Sequence, residues 1–396
     1  MNTVDFVWLS KWILRNIPDL ILFLGVVTIQ AVGVWWILRR PAANASRRVR
    51  TTIVSLAIAS FAVLSFGFLL HFMRVSRHLP LWLNAWGRGS IIAWALISVL
   101  LVLAFGAAEA LPKARPEHSP ARRNFLRAAH IALFAAPAAA VGYGVFIERL
   151  DLRLREQSIA IPGLHPDLNG LRIVQLTDIH LGAFLAERQV ERAVAIANET
   201  RAHIALVTGD LISFQGDPLD ACLNRLARLT AEAGIFGCLG NHEIYAGTED
   251  YTTEAGARLG MRFLRDAAAP LRFGDATLNL AGVDYQHLRA PYLVGTGKLV
   301  RPGALNVLLS HNPDVFPVAA RQGWQCTIAG HTHGGQVRVE ILHQNLSVAR
   351  FFTHYVDGLY REGPASIFVS RGIGTIGVPA RLGAPPEVAL LRLCRT

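Results

Sequence analysis

Three apolar runs near the N-terminus limit what this chain can fold into more than any other feature. They are residues 18–38 (PDLILFLGVVTIQAVGVWWIL), 52–73 (TIVSLAIASFAVLSFGFLLHFM) and 90–111 (SIIAWALISVLLVLAFGAAEAL). Crossing a hydrocarbon core takes about 20 predominantly apolar residues, and each run meets that length. A fourth run, 128–147 (AAHIALFAAPAAAVGYGVFI), is weaker, being rich in Ala and interrupted by Pro137. The competing reading of such runs is a set of buried helices in a soluble core. Their length and the scarcity of charge within them favour the membrane. Residues 1–150 are therefore expected to form a transmembrane region of about four helices (18–38, 52–73, 90–111 and 128–147), and residues 151–396 a separate domain.

The distribution of charge suggests a topology. The chain carries a formal net charge of +11, and much of that excess flanks the apolar runs. Arg39, Arg40, Arg47, Arg48 and Arg50 fill the first connection, and Lys113, Arg115, Arg122, Arg123 and Arg127 the third. The second has only Arg74, Arg77 and Arg88. Cytoplasmic loops carry the Lys/Arg excess. With four spans, the N-terminus and everything after Ile147 then lie outside, on the periplasmic side of a bacterial inner membrane; Lys11 and Arg15 count against this orientation. The segment ARRNFLRAA from Ala121 resembles a twin-arginine export signal, with Arg122-Arg123 on the cytoplasmic side; an ordinary basic juxtamembrane loop reads equally well. The second half lacks a long Lys/Arg run interleaved with aromatics, so the basic balance does not point to nucleic acid. Cys222, Cys238, Cys326 and Cys394 show neither CxxC spacing nor a disulfide framework.

From Asp151 onward the pattern changes to α/β layering. LRIVQLTD (171–178) and HIALVTGD (203–210) read as strands, and GIFGCLGNHE (234–243) is strand-like. ERQVERAVAIANET (187–200) and LDACLNRLARLTAEA (219–233) read as helices, the first with Val190, Ala193, Val194 and Ala197 at helical spacing. After Leu264 strand–turn pieces dominate: ATLNLAGVDY, NVLLSHNP, QCTIAGHTHGG, ASIFVSRGIG and EVALLRL. In such layouts the site forms on the loops at the C-terminal ends of the strands.

Polar residues collect at those ends. Asp178 and His180 follow the first strand, Asp210 the second, and Asn241 and His242 the third. His311 follows NVLLS, and His331 and His333 follow QCTIAG. Carboxylates, neutral imidazoles and an amide oxygen without thiolate suit Mn, Fe or Zn. The donors are too many for one catalytic ion with an open position. They suit two ions that share a bridging carboxylate and clamp a phosphate from both sides.

These residues carry a resemblance. DIHLG, TGDL, GNHE, LLSHNPD and GHTHGGQ, in this order, are similar to the signature blocks of the calcineurin-like metallophosphoesterases. GLRIVQLTDIHLG, the tail SRGIGTIGVPARLGAPPEVALLRL and the apolar N-terminus resemble the membrane-associated, YkuE- and YaeI-like branch. The resemblance covers about residues 155–395. It implies a four-layer α/β/β/α sandwich and two divalent or trivalent ions. Asp178, His180 and His333 would hold the first ion and Asn241, His311 and His331 the second, with Asp210 bridging. His242 would stay off the metals and act as general acid or charge stabiliser. Glu243 and Gln336 would orient the ligands. The implied reaction is hydrolysis of a phosphomonoester, phosphodiester or pyrophosphate by metal-held hydroxide. Two departures from the family pattern, Ser213 after GD and Tyr285 in GVDY, bear on substrate contacts and ligand tuning.

The membrane region suggests a lipid-linked or envelope phosphate as substrate. A UDP-2,3-diacylglucosamine pyrophosphatase-like activity in lipid A synthesis is an alternative that the outward orientation disfavours. A non-catalytic metal-binding membrane sensor or scaffold is a second alternative. His165, His203, His287, His343 and His354 fit none of the blocks, and His71 and His78 flank the second apolar run.

Overall fold

The computed structural model describes residues 3–39, 46–72, 80–110, 120–287, 289–341 and 344–396. Two compact units divide the chain, Met1–Gly142 and Tyr143–Thr396. Arg40, Arg74, Arg77, His78, Lys113, Arg115 and His343 lie outside the described residues.

Four helices account for the apolar runs: α1 (Thr3–Arg39), α2 (Arg47–Phe72), α3 (Leu81–Ala110) and α4 (Pro120–Phe146). Among the described residues, Arg47–Phe68 and Trp82–Ala104 are long and apolar enough to cross a membrane, whereas the apolar stretch Phe23–Arg39 is shorter. α4 continues through Pro137 and carries Arg122 and Arg123 in its first turn. Leu56, Ile58, Phe61, Phe66 and Trp82 are exposed, a pattern that suits a solvent of lipid rather than water. Polar bonds tie the first three helices together. Gln30 donates to Ser98 Oγ (2.5 Å) and accepts from Ser60 Oγ (3.1 Å), and Trp94 Nε1 donates to Ser60 Oγ (2.9 Å). Such side-chain bonds join helices where apolar contact alone provides little drive.

The second unit holds two six-stranded mixed sheets. The first contains β1 (Arg153–Ile161), β2 (Arg172–Leu176), β3 (Ile204–Thr208), β4 (Ile235–Cys238), β5 (Met261–Phe263) and, in the second position, the C-terminal strand Glu387–Arg395. Along the chain, α5 (Glu187–Glu199), α6 (Leu219–Leu226), α7 (Asn241–Ala246) and α8 (Glu249–Arg258) link its parallel strands. The second sheet contains β6 (Ala267–Phe273), β7 (Ala276–Gly282), β8 (Leu305–Leu309) and β9 (Cys326–Ala329), with α9 (Phe316–Gln322) between the last two. A hairpin of β10 (Arg338–Ile341) and β11 (Gln344–Ser347) follows. Then β12 (Gly358–Glu362) and β13 (Ala365–Val369) complete that sheet, and the chain closes with β14, the Glu387–Arg395 strand of the first.

Period-two alternation explains the layers. Ile173, Leu206, Phe236 and Leu391 of the first sheet meet Leu280, Val307, Leu309 and Phe368 of the second in a shared apolar core. The intervening residues Val174, Ala205 and Val207 face outward against Val190, Ala193 and Val194 of α5 and Leu223 and Leu226 of α6. On the far side Ala281 and Leu308 pack against Val315, Ala319 and Trp324. The result is helices, sheet, sheet, helices, the α/β architecture expected. Truncating a core side chain such as Leu206→Ala would cost about 2–5 kcal/mol and loosen the alignment of the two sheets.

Two boundaries differ from the sequence reading. The helix expected over 219–233 stops at Leu226, because Asn198 at the end of α5 holds the next segment in another shape. Its Nδ2 donates to Arg228 O (2.9 Å) and its Oδ1 accepts from Thr230 N (2.8 Å). The strand-like stretch 234–243 ends at Cys238, and Asn241 opens α7.

Candidate metal centre

The parallel strands of both sheets end at one edge, and the loops there bring together Asp178, His180, Asp210, His311, His331 and His333, while Asn241 follows Gly240, which packs on Asp210. One ligand atom each from Asp178, His180 and His333 lies within 4.8 Å of the others, and the same holds for Asp210, His311 and His331. A third such group joins His180 and Asp210 to His242. Within the groups, His180 Nε2 and His333 Nε2 are 3.1 Å apart, His311 Nε2 is 3.1 Å from Asp210 Oδ2, and His333 Nε2 is 3.4 Å from Asp178 Oδ1; His311 Nε2 also comes within 3.9 Å of Asp178 Oδ1, which links two of them. Asp178, His180, Asp210, Asn241, His311 and His333 are buried, and His331 is partly so.

The backbone is bent to achieve this convergence. Asp178, His180, Asp210, His331, His333 and Gln336 all have positive φ, from 48° to 75°. L-residues other than Gly visit that region sparingly, and such strain concentrates at functional sites. The neighbouring structure holds it in place. His180 N donates to Asp210 O (3.0 Å), His331 N to Asp178 Oδ1 (3.0 Å) and His242 N to Asp210 Oδ1 (2.9 Å). Two glycines are needed for closeness: a Cβ on Gly240 would lie 2.1 Å from Asp210 Oδ1, and one on Gly372 would lie 2.5 Å from Asp178 Cβ.

Glu243 and Gln336 act through other groups. The buried carboxylate of Glu243 accepts from Gly240 N (2.7 Å), Asp210 N (2.9 Å) and Leu211 N (2.7 Å), so it fixes the Asp210 turn from behind. Gln336 bonds Ile376 N (3.0 Å) and Val378 O (2.8 Å), pinning the glycine-rich C-terminal segment beside the His333 loop. Both departures from the family pattern touch the site. Ser213 Oγ is 3.1 Å from His180 Nδ1, and the Tyr285 ring centroid lies 5.6 Å from that of His331 and 6.2 Å from that of His311.

Two positioning groups escaped the sequence reading. Thr177 Oγ1 donates to Asp178 Oδ2 (2.8 Å). Arg381, wholly buried, donates to the carbonyls of Gly374 (3.0 Å), Ala384 (3.0 Å) and Arg371 (2.8 Å). The one signal for it is an isolated Arg within the tail GVPARLGAPP. Of the histidines outside the blocks, His165 and His203 accept backbone N–H bonds from Asp167 and Arg172.

Hydrogen-bond partners fix which nitrogens are free. His311 Nδ1 is 2.7 Å from Thr208 O, and His242 Nδ1 is 2.6 Å from Ser213 O. A carbonyl only accepts, so each Nδ1 carries a hydrogen and each Nε2 is the nitrogen left to take a proton or a cation. His311 Nε2 then faces Asp210 Oδ2 at 3.1 Å and Asp178 Oδ1 at 3.9 Å. Burial disfavours a charged imidazole there, but the two carboxylates outweigh it and push the His311 pKa up to about 10. Burial pulls His180 down to about 3 and His331 to about 4, so both are neutral near pH 7. Burial raises the Asp178 carboxyl to about 6.

The donor set fits cations on two grounds. The buried Asn241 Oδ1 has no hydrogen-bond donor, and such a group is costly unless something electropositive meets it. Carboxylates and imidazole lone pairs also converge from opposing loops, which a proton relieves only in part.

Comparison with known proteins agrees with this chemistry. The model of the calcineurin-like phosphoesterases matches residues 171–335, a stretch that includes all the candidate ligands. An uncharacterised metallophosphoesterase of Aquifex aeolicus is 30% identical over 62% of this chain and 94% of that protein. The phosphodiesterase YaeI of Escherichia coli is 29% identical over 69% of this chain and 98% of its own length. A transmembrane protein with a metallophosphoesterase domain from Danio rerio is 26% identical over 76% of this chain and 72% of that protein.

Proposed function

Because the chain belongs to the calcineurin-like metallophosphoesterases, we propose that it is a membrane-anchored phosphoester hydrolase working with two metal ions. Asp178, His180 and His333 would hold one ion, Asn241, His311 and His331 the other, and Asp210 both. The observation that carries this reading is the convergence of Asp178, His180, His333, Asp210, His311 and His331 on one site, with His311 Nε2 turned toward two carboxylates. When bound, the ions would supply Lewis acidity, acidifying a water and drawing charge from the phosphoryl oxygens.

The residues of the chain do the rest. Ser213 O orients the His242 ring through Nδ1–H, leaving Nε2 to carry a proton to the leaving-group oxygen. Glu243 keeps the Asp210 turn from relaxing, and Arg381 braces the segment behind Asp178 and His333. The substrate is a phosphomonoester, phosphodiester or pyrophosphate. The helices Arg47–Phe68 and Trp82–Ala104 favour a lipid-linked or envelope phosphate, and the arginine distribution favours a multi-pass inner-membrane protein with its catalytic unit outside.

The test is metal content and turnover of bis(4-nitrophenyl) phosphate and 4-nitrophenyl phosphate by the full chain in detergent. Asn241→Ala is expected to lose metal and activity together. His242→Ala is expected to keep its metal while kcat drops by about 10²–10⁴. Full activity in both variants would reject the assignment.

A further inference from the structure

The edge that carries the metal centre also carries large apolar side chains that nothing in the unit covers. Phe214 follows β3 and is 47% exposed, and Tyr245 in α7, beyond β4, is 67% exposed. Their rings flank His242, with centroids 6.3 Å and 5.5 Å from its own. Phe351 and Phe352 are 87% and 80% exposed, beside the exposed Arg350. Both sides of this pair are fastened to the same edge. Ser347 packs so closely on the turn after His333 that a Cβ on Gly335 would lie 2.6 Å from its own, and Thr353 Oγ1 donates to Asp314 Oδ1 (2.5 Å) just past His311.

The first residues of the unit meet that edge too. Phe146 and Ile147 are exposed, while Gly144 O accepts from Arg381 N (3.1 Å) and Arg149 Nη1 donates to Phe184 O (2.8 Å), in the loop after Asp178 and His180. These two residues end the fourth apolar run. At the other end of the strands the surface is polar, with Arg172, His203, Glu232 and Arg272 around a shallow groove.

From this asymmetry we infer that the catalytic edge rests on a lipid bilayer, with Phe351 and Phe352 inserted among the headgroups, and that the substrate is an amphiphilic phosphoester reached at that surface. The inference rests on the phosphoesterase reading and narrows its substrate class. Aromatic side chains are suited to the headgroup region, and a neighbouring Arg can meet anionic lipid phosphate. Burying a Phe at the acyl boundary removes the cost of its exposure to water. A chain with membrane-crossing helices never leaves a bilayer, so that surface is the occupant always within reach. Exposed aromatics beside His242 also suit a leaving group with apolar character.

The experiment uses the full chain with its metals in proteoliposomes of phosphatidylethanolamine and phosphatidylglycerol. Two substrates are compared: soluble bis(4-nitrophenyl) phosphate and membrane-held hexadecyl 4-nitrophenyl phosphate. For the double variant Phe351→Ser/Phe352→Ser, kcat/KM on the amphiphile is expected to fall by about tenfold or more, with turnover of the soluble ester unchanged. Phe351→Trp/Phe352→Trp is expected to keep both activities. An equal loss on both substrates would make the pair a structural element and overturn the inference. Unchanged turnover of the amphiphile would overturn it too, and a shift from dimer to monomer alongside would assign the patch to a second copy. Wild-type protein that cleaves the soluble ester but not the amphiphile defeats the surface alone. Wild-type protein that cleaves neither, with metals loaded, defeats the phosphoesterase reading first.

Discussion

The two sheets bring different chemistry to the seam where they meet. The first supplies both carboxylates and the amide, Asp178, Asp210 and Asn241, together with His180; the second supplies only imidazoles, His311, His331 and His333. Neither edge alone offers a balanced donor set for two cations. Across the seam His311 Nε2 reaches to 3.1 Å from Asp210 Oδ2 and His333 Nε2 to 3.4 Å from Asp178 Oδ1. The apolar core between the sheets sets these distances. Packing far from any ligand therefore decides whether two half-sites make one site.

Removing charge from the anionic half breaks this arrangement most severely. Asp210 Oδ2 lies 3.5 Å from His180 Nε2 and 3.1 Å from His311 Nε2 and would serve both proposed ions, so Asp210→Asn is expected to lower turnover by at least about a thousandfold and to strip most bound metal. Near wild-type kcat with metal retained would show that the carboxylate half is dispensable. Glu243→Gln tests the support beneath that half. Three backbone N–H groups point at the carboxylate, and an amide offers one acceptor oxygen and a mismatched NH2. The expected result is a stability loss of about 1–3 kcal/mol in thermal denaturation and metal affinity weaker by about 10–100-fold. Unchanged metal affinity would deny Glu243 its role.

The sequence exposes the donors far better than it exposes what holds them. Asp178, Asp210, His311 and His331 each follow an apolar strand run, so their shared edge could be read without coordinates. α5 was legible because Val190, Ala193, Val194 and Ala197 repeat at helical spacing. The early end of α6 was not, since it depends on Asn198 from another helix bonding residues 228–230. β1 was missed because Arg153–Ile161 has little apolar alternation until its end, and pairing with β14 stabilises it. Ser213 acquires its role by meeting His180 from another loop, and Arg381 by the fold of its own tail, which turns the Gly374 and Arg371 carbonyls back onto it; neither contact follows from the apolar periodicity.

Proton linkage sharpens the contrast between the halves. Below about pH 10 the His311 imidazole is protonated in the metal-free site, stabilised by Asp210 and Asp178. A cation taking the Nε2 lone pair must displace that proton. Metal affinity should therefore rise with pH by about tenfold per unit between roughly pH 6 and 10, one proton leaving per binding event. Below about pH 6 the Asp178 carboxyl is protonated as well, so the slope should steepen toward two protons. Calorimetric titrations in buffers of different ionisation enthalpy count those protons. Affinity that does not change across this range would mean that no cation competes for His311.

The mildest perturbation concerns a single hydroxyl. Ser213 serves two histidines by different atoms: Oγ faces His180 Nδ1 at 3.1 Å, and the backbone oxygen holds His242 Nδ1 at 2.6 Å. Ser213→Ala deletes only the first. His180 then loses an orienting partner while His242 keeps its own. Metal affinity is expected to weaken by a few-fold, about the low end for a ligand-orienting bond, and kcat at saturating metal should hold. A lowered kcat at saturating metal would instead place the hydroxyl in the proton path of His242, and the division of labour between the two histidines would have to be redrawn.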